Sequence, residues 1–344
     1  MLSRRSFLAT GGAIAGRMAL GVRRSPMCAF FVVGDTHFLA DREAPERMDE
    51  TSDTYTQGLV RTLNGLAGTR IPDAAGGGVV GEVSGVLHVG DVVDSADKGG
   101  VLHTAMQKTE WARYERVFGM TGSEGMLRVP VMEIGGNHDG PHGVGHVMER
   151  LAARQRTRKG LKSLSENGLH YSWEWGGVHF VALGLIVGTN HSVTRKRRYA
   201  ACESLAFLQQ DLATQVKKGQ PVVVMHHVDV ARYSVEKADV DVTKWEWDPA
   251  DVRAYHRAIR GHRAVVFYGH THRRDVFRWD GAAPGAERGL AVFNVDNSSH
   301  FGDAKQALFY VEMYDESVLV REFATSDGWL TGAWTSQSWD MGLG

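Results

Sequence analysis

Residues 29–37 read AFFVVGDTH, an apolar run that ends in a polar cluster. The same pattern recurs four times along the chain, with Gly, Asp, Asn or His following a short β-branched run. Such runs are typical of buried parallel strands, which are apolar on both faces. Because the carboxyl ends of parallel strands in an α/β sheet face one crevice where ligands bind, we expect the five clusters to meet at one site.

The clusters contain the side chains of a metal site. They are residues 34–37 (Gly-Asp-Thr-His), 90–94 (Gly-Asp-Val-Val-Asp), 136–139 (Gly-Asn-His-Asp), 225–227 (Met-His-His) and 269–272 (Gly-His-Thr-His). The candidate ligands mix imidazole with carboxylate and amide oxygen: Asp35, His37, Asp91, Asn137, His226, His270 and His272. One ion takes about four to six ligands, so this set suits two ions about 3.5–4 Å apart that share a carboxylate. Imidazole with carboxylate favours zinc, iron or manganese over calcium.

The order of these motifs resembles that of the calcineurin-like metallophosphoesterase superfamily, and the resemblance spans residues 34–272. It implies an α/β fold in which two mixed β-sheets pack as a sandwich flanked by helices. It also implies one ion bound by Asp35, His37 and His272, and a second bound by Asn137, His226 and His270. Asp91 would bridge the two ions. Family members use the first histidine after this strand, which selects His226 over His227.

The resemblance also implies a catalytic role for the third cluster. His138 would stand beside the metals as a proton donor or phosphate contact, and Asp139 would hold it. Two cations stabilise the charge that develops on a phosphoryl group, and they lower the pKa of a bridging water. Hydroxide would then attack phosphorus in line, and His138 would protonate the leaving oxygen, since imidazole titrates near neutrality. The expected activity is hydrolysis of small phosphodiesters or phosphomonoesters.

Two other functions fit the same fold. A nuclease would need a basic groove, whereas a non-catalytic scaffold for protein binding would be marked by lost ligands. The formal net charge is −1, and the five arginines that precede Asp35 are accompanied by no acidic residue, so removing them leaves −6. An acidic chain weakens the nuclease interpretation, because nucleic acid binding favours a basic face. The second cluster also lacks the tyrosine that ligates ferric iron in purple acid phosphatases.

The N-terminus resembles a twin-arginine export signal. Residues 3–8 (Ser-Arg-Arg-Ser-Phe-Leu) precede an apolar, glycine-rich stretch that ends near Gly21. This stretch is interrupted by Arg17, and it is shorter than the roughly 20 apolar residues of a membrane-spanning helix. We expect a signal peptide over residues 1–26, with an uncertain cleavage site, and one phosphoesterase domain over residues 27–344. The mature protein would then be periplasmic or secreted, with the twin-arginine machinery as a partner and no membrane span. The alternative is the basic N-terminus of a cytoplasmic enzyme.

Alternating helices and strands are predicted between the clusters. The expected helices cover residues 54–66, 104–118, 205–216 and 251–260. Residues 169–185 form a hairpin of a second sheet, and the runs at 290–295, 308–314 and 318–323 are expected to continue that sheet. The cysteines, Cys28 and Cys202, are predicted to be buried free thiols.

The sequence defines the substrate contacts less clearly than the metal ligands. Residues 195–198 (Arg-Lys-Arg-Arg) could meet an anionic substrate or form a solvated loop. In the segment 229–248, Tyr233, Trp245 and Trp247 could form an aromatic rim around the leaving group or pack in the interior.

Overall fold

The computed structural model describes residues 25–190, 198–234 and 245–344. The strands in this part of the chain are β1 (Cys28–Val33), β2 (Val86–His88), β3 (Val131–Glu133), β4 (Ser163–Leu164), β5 (Tyr171–Trp175), β6 (Val178–Ala182), β7 (Pro221–Met225), β8 (Arg263–Tyr268), β9 (Asp275–Trp279), β10 (Leu290–Asn294), β11 (Gln306–Met313), β12 (Ser317–Thr325) and β13 (Ala333–Gly342). The α-helices are α1 (Glu50–Leu66), α2 (Val101–Phe118), α3 (His146–Thr157), α4 (Ser204–Gln215), α5 (Val230–Tyr233) and α6 (Pro249–Ile259).

The strands form two mixed sheets. The first has the order β13-β12-β11-β1-β2-β3, and the second has the order β4-β5-β6-β7-β8-β10-β9. Strands β1, β2 and β3 run parallel, as do β6, β7, β8 and β10, while the outer strands pair antiparallel. The predicted α/β fold with two mixed sheets and flanking helices is therefore confirmed.

The two sheets pack face to face through an aromatic core. Phe30 of β1 meets Phe180 of β6 edge to face at 5.3 Å between ring centroids, and Phe267 of β8 at 5.9 Å. The outer face of each sheet is covered by helices, and every residue of β1 is buried. Burial on both faces explains why these strands are continuous apolar runs instead of alternating ones.

Each of the four predicted helices is present, but the helices begin one to four residues earlier than predicted. Helix α1 begins at Glu50, one turn before the predicted residue 54, because the carboxylate of Asp49 accepts a hydrogen bond from Ser52 N at 2.8 Å and caps it. The predicted hairpin is confirmed, since β5 and β6 pair antiparallel across Gly176 and Gly177, which have φ of 57° and 84°. Both cysteines are free thiols; Cys28 is buried as predicted, whereas Cys202 is only partly buried.

The sheet assignment of two C-terminal strands was wrong. Of the three runs predicted to continue the second sheet, only the first (β10) lies in it. Strand β11 instead pairs antiparallel with β1 of the first sheet, in the register Phe30 to Val311. Strand β12 then pairs with β11. The chain crosses between the sheets after β10, where Ser298 N donates to Gly34 O at 2.9 Å. This crossing brings the loop after β10 to the end of β1.

The predicted export signal and its cleavage site lie almost wholly outside the described residues, which begin at Ser25. Within the described ranges, no helix has the length and apolar character needed to cross a bilayer.

Candidate metal centre

Six loops meet at one edge of the sandwich. Three follow β1, β2 and β3 of the first sheet, and three follow β7, β8 and β10 of the second. Backbone hydrogen bonds hold the loops together: Asp35 N donates to Gly90 O at 2.9 Å, and Gly269 N donates to His227 O at 3.2 Å. The five polar clusters predicted from the sequence therefore do converge, and a sixth loop joins them.

The first group of possible ligands consists of Asp35, His37 and His272, whose donor atoms lie within 4.8 Å of one another. The Nε2 atoms of the two histidines are 3.1 Å apart. His272 Nε2 also lies 3.5 Å from Asp35 Oδ1. Burial opposes the charge on Asp35, but the hydrogen bond and charge of His272 hold the pKa of this carboxyl below its usual range.

The second group contains Asp91, His227 and His270. His227 Nε2 is 3.2 Å from Asp91 Oδ2 and 3.1 Å from Asn137 Oδ1. The same amide oxygen lies 2.8 Å from His270 Nδ1, so Asn137 lies with this group. Two imidazoles, one amide oxygen and one carboxylate thus face a common point.

Asp91 lies between the two groups. Its Oδ2 is 3.2 Å from His227 Nε2 and 3.7 Å from His37 Nε2. Its Oδ1 accepts a hydrogen bond from His138 N at 2.8 Å. Burial opposes ionisation here, but the surrounding histidines, His227 first, hold the pKa of Asp91 well below its usual range. Oδ2 of Asp91 is therefore near candidate ligands of both groups.

The structure places His227 in the centre and leaves His226 out, so the histidine selected from the sequence was the wrong member of the pair. The ring of His226 stacks on Tyr268 at 5.6 Å and meets Trp247 and Tyr255, each at 5.3 Å. Among the described residues, neither of its buried ring nitrogens has a side-chain hydrogen-bond partner, and burial lowers the pKa of His226 to about 3. Neighbouring side chains at a strand end point to opposite sides, so only one of the two can reach the centre.

The four histidines of the centre share an arrangement that suits metal ions. Each turns one ring nitrogen toward the ligand groups and the other toward an acceptor. These outer pairs are His37 Nδ1 with Asp94 Oδ1 (3.3 Å), His227 Nδ1 with Val89 O (2.8 Å), His270 Nε2 with Glu246 Oε2 (3.6 Å) and His272 Nδ1 with Asp303 Oδ2 (2.9 Å). Metal-binding histidines are held in this way, because the outer acceptor fixes the tautomer and leaves a lone pair inside. The Nε2 atoms of His37 and His272, 3.1 Å apart, are close enough to bind the same cation.

The backbone of the ligand loops is strained. Five ligands have a positive φ that side chains rarely adopt: Asp35 (52°), His37 (43°), Asp91 (50°), His270 (75°) and His272 (50°). Such strain costs on the order of 1–3 kcal/mol per residue and concentrates at functional sites. Glycines permit the close approach of the loops: a Cβ on Gly136 would lie 2.2 Å from Asp91 Oδ1, and one on Gly269 would lie 2.3 Å from Asp35 Oδ2.

His138 lies beside the first group, with its ring 4.8 Å from the ring of His37 and 29% of its side chain exposed. The prediction that Asp139 holds this imidazole is wrong. The nearest acceptors of His138 Nδ1 are Asp94 O at 3.2 Å and Asp97 Oδ1 at 3.5 Å. The buried carboxylate of Asp139 instead accepts backbone N–H groups of Val92 (3.0 Å), Val93 (2.9 Å) and Gly136 (2.7 Å). Asp139 therefore ties together the loops that carry Asp91 and Asn137.

The sixth loop was missed by the sequence reasoning. It supplies Asp303, whose Oδ2 accepts hydrogen bonds from His272 Nδ1 at 2.9 Å and from His300 Nδ1 at 2.8 Å. The signal was present, because the apolar run 290–295 is followed by Asp-Asn-Ser-Ser-His, the same pattern that identified the other five clusters.

The suggested substrate contacts do not reach the centre where they are described. Arg198 has an 8% exposed side chain and pairs with Asp248 at 2.6 Å and Asp251 at 2.8 Å, while residues 195–197 lie outside the described part. Trp245 is 4% exposed and Trp247 fully buried, so these side chains pack in the interior instead of forming an aromatic rim. Tyr233 is also buried, with its hydroxyl on Glu246 Oε2 at 2.5 Å.

Comparison with known proteins gives one family. A family model described as calcineurin-like phosphoesterase matches residues 29–274. Among solved structures, a dimetal phosphatase from Danio rerio superposes with a TM-score of 0.55 at 12% identity, covering 93% of this chain and 100% of that one. A structure of PhoD gives a TM-score of 0.48 at 10% identity, over 91% of this chain and 72% of that one. Likeness at this identity shows the fold alone, and no curated protein matches the chain.

Proposed function

The chain belongs to the calcineurin-like phosphoesterase family and is a metal-dependent phosphoesterase, and we propose that it hydrolyses small phosphodiesters or phosphomonoesters at two metal ions. The observation that carries this proposal is the position of Asp91, whose Oδ2 faces both His37 and His227. One ion would be held by Asp35, His37 and His272, and the other by Asn137, His227 and His270. With Asp91 shared, each ion has four protein ligands, and the donor set suits iron, manganese or zinc.

The bound ions would neutralise the phosphoryl oxygens and make hydroxide available near neutral pH for in-line attack on phosphorus. The chain supplies the remaining functions. His138, partly exposed at the rim, donates a proton to the leaving oxygen, and its Nδ1 is held by Asp94 O and Asp97. Asp94 and Asp303 keep the imidazoles of His37 and His272 turned inward. Asp139 holds the loops whose relative position sets the distance between Asp91 and Asn137.

The arrangement favours this activity over the two alternatives. A non-catalytic scaffold has no need for four inward-facing imidazoles with matched outer acceptors, or for five strained ligand residues. A nuclease remains the second candidate. The acidic charge expected of the mature chain and the ion pairs that occupy Arg198 favour small substrates over nucleic acid.

Metal removal tests the proposed function. Protein freed of metal by a chelator should hydrolyse neither bis(p-nitrophenyl) phosphate nor p-nitrophenyl phosphate, and manganese, zinc or iron should restore the activity. The reason is that the proposed attacking group is hydroxide made available by the bound metals. An unchanged rate in protein shown by elemental analysis to be metal-free would contradict the proposal. Faster cleavage of single-stranded or duplex DNA than of bis(p-nitrophenyl) phosphate would favour the nuclease.

We also propose that the protein is exported through the twin-arginine route. The support is Arg4 and Arg5 followed by an apolar stretch. Changing both arginines to lysine should retain active protein in the cytoplasm, because the substituted positions precede the described fold. Cell fractionation with an immunoblot measures the location. Mature-length double-lysine protein outside the inner membrane would contradict the signal, and so would wild-type protein that never leaves the cytoplasm.

A further inference from the structure

We propose that His300 is a substrate-contacting residue, whose Nε2 donates a hydrogen bond to a non-bridging oxygen of the phosphoryl group. The inference rests on the proposed function and adds a residue that lies outside all five sequence motifs. The loop after β10 carries it to the centre.

His300 lies as close to the first ligand group as the members of that group lie to each other. Its ring centroid is 4.9 Å from the ring of His37 and 4.9 Å from that of His272, which are themselves 5.0 Å apart. Its side chain is 29% exposed, the same fraction as His138. The imidazole is therefore next to the metal ligands and open to solvent, where a substrate would arrive.

The position of His300 is held by several contacts. Its Nδ1 pairs with Asp303 Oδ2 at 2.8 Å, and its ring stacks on Phe301 at 6.0 Å. Ser299 Oγ donates to Thr36 O at 3.0 Å, which ties this loop directly to the one that carries Asp35 and His37. Hydrogen bonds thus hold the loop against the ligand loop and hold the imidazole of His300 within its own loop.

Of the two ring nitrogens of His300, only Nε2 remains to bind a ligand. Among the described residues, Nδ1 is hydrogen-bonded and Nε2 has no partner. Each metal position already has four protein ligands, so His300 is not needed for coordination. The ring therefore presents Nε2 as the atom that can bond to the oxygens of a phosphoryl group.

The test compares His300→Ala and His300→Gln with a control, His262→Ala. His262 precedes β8 and so lies at the opposite end of that strand from the centre. Three quantities are measured: metal content, the dissociation constant of inorganic phosphate for metal-loaded protein by calorimetry, and kcat/KM for p-nitrophenyl and alkyl phosphate esters. His138→Ala serves as the comparison for loss of a proton donor.

The alanine variant should keep its metals and bind phosphate about 10- to 100-fold more weakly, the worth of a hydrogen bond to a charged group. Its kcat/KM should fall by one common factor for both esters, whereas His138→Ala should lose more on the alkyl ester, whose leaving group needs a proton. Glutamine retains an N–H donor and should restore part of the phosphate affinity. His262→Ala should match the wild type.

Three results would overturn the assignment: unchanged phosphate affinity in His300→Ala, loss of metal in that variant, or a loss of rate confined to the alkyl ester. A wild-type protein that binds two metals and phosphate but hydrolyses no ester would contradict the proposed function instead. The phosphate affinity of the variants would still decide the role of His300.

Discussion

Asp91→Asn should lower both metal content and turnover by several orders of magnitude. The carboxylate is buried, and nearby histidines hold the pKa of Asp91 well below its usual range. Its Oδ2 faces ligands of both groups, at 3.2 Å from His227 Nε2 and 3.7 Å from His37 Nε2. An amide brings no charge and cannot be shared by two cations in the same way, so both ions lose affinity together. Elemental analysis of the purified variant and its rate on bis(p-nitrophenyl) phosphate measure the effect.

Asp73→Asn is the matched control for this variant, since it makes the same chemical change on a side chain that is 87% exposed. It should leave metal content and rate unchanged. Near-normal turnover with two bound metals in Asp91→Asn would show that the carboxylate does not bridge.

His227→Ala and His226→Phe should have opposite outcomes although the two positions are adjacent. Removing His227 takes away a ligand and should abolish most activity and metal at the second position. His226 lies among Tyr268, Trp247 and Tyr255, and its ring nitrogens have no side-chain hydrogen-bond partner among the described residues. A phenylalanine fits these aromatic surroundings without the desolvation cost of a buried imidazole, and should keep the fold and the activity.

Metal content, rate and thermal unfolding of these two variants are the measurements. Metal loss in a folded His226→Phe, together with retained metal in His227→Ala, would restore the assignment made from the sequence and refute the one made from the structure.

Much of the centre could be predicted because the polar residues directly follow apolar runs. Side chains at the carboxyl ends of buried parallel strands face one crevice, so the residues there could be grouped before their distances were known. These residues are Asp35, His37, Asp91, Asn137, His270 and His272. The choice within the His226 and His227 pair could not be made this way. Which of two adjacent side chains faces the centre depends on where the strand ends, and one residue of difference reverses the answer.

The errors elsewhere have related causes. The runs that became β11 and β12 are β-rich, but sheet membership is set by which strand the chain returns to, and that is a tertiary property. Asp139 was assigned to His138 through the family resemblance, whereas the buried carboxylate here accepts hydrogen bonds from the backbone N–H groups around it. The sequence alone does not decide whether Trp245 and Trp247 pack in the interior or form an aromatic rim around the leaving group.

The most direct test of the dinuclear centre is a titration of metal-free protein with manganese, zinc or iron, in which bound metal and the hydrolysis of bis(p-nitrophenyl) phosphate are followed together. The geometry around Asp91 predicts two tightly bound ions per chain, with activity that reaches its maximum as the second is bound. Full activity at a single bound ion, or maximal rates with no ion bound, would contradict the dinuclear centre.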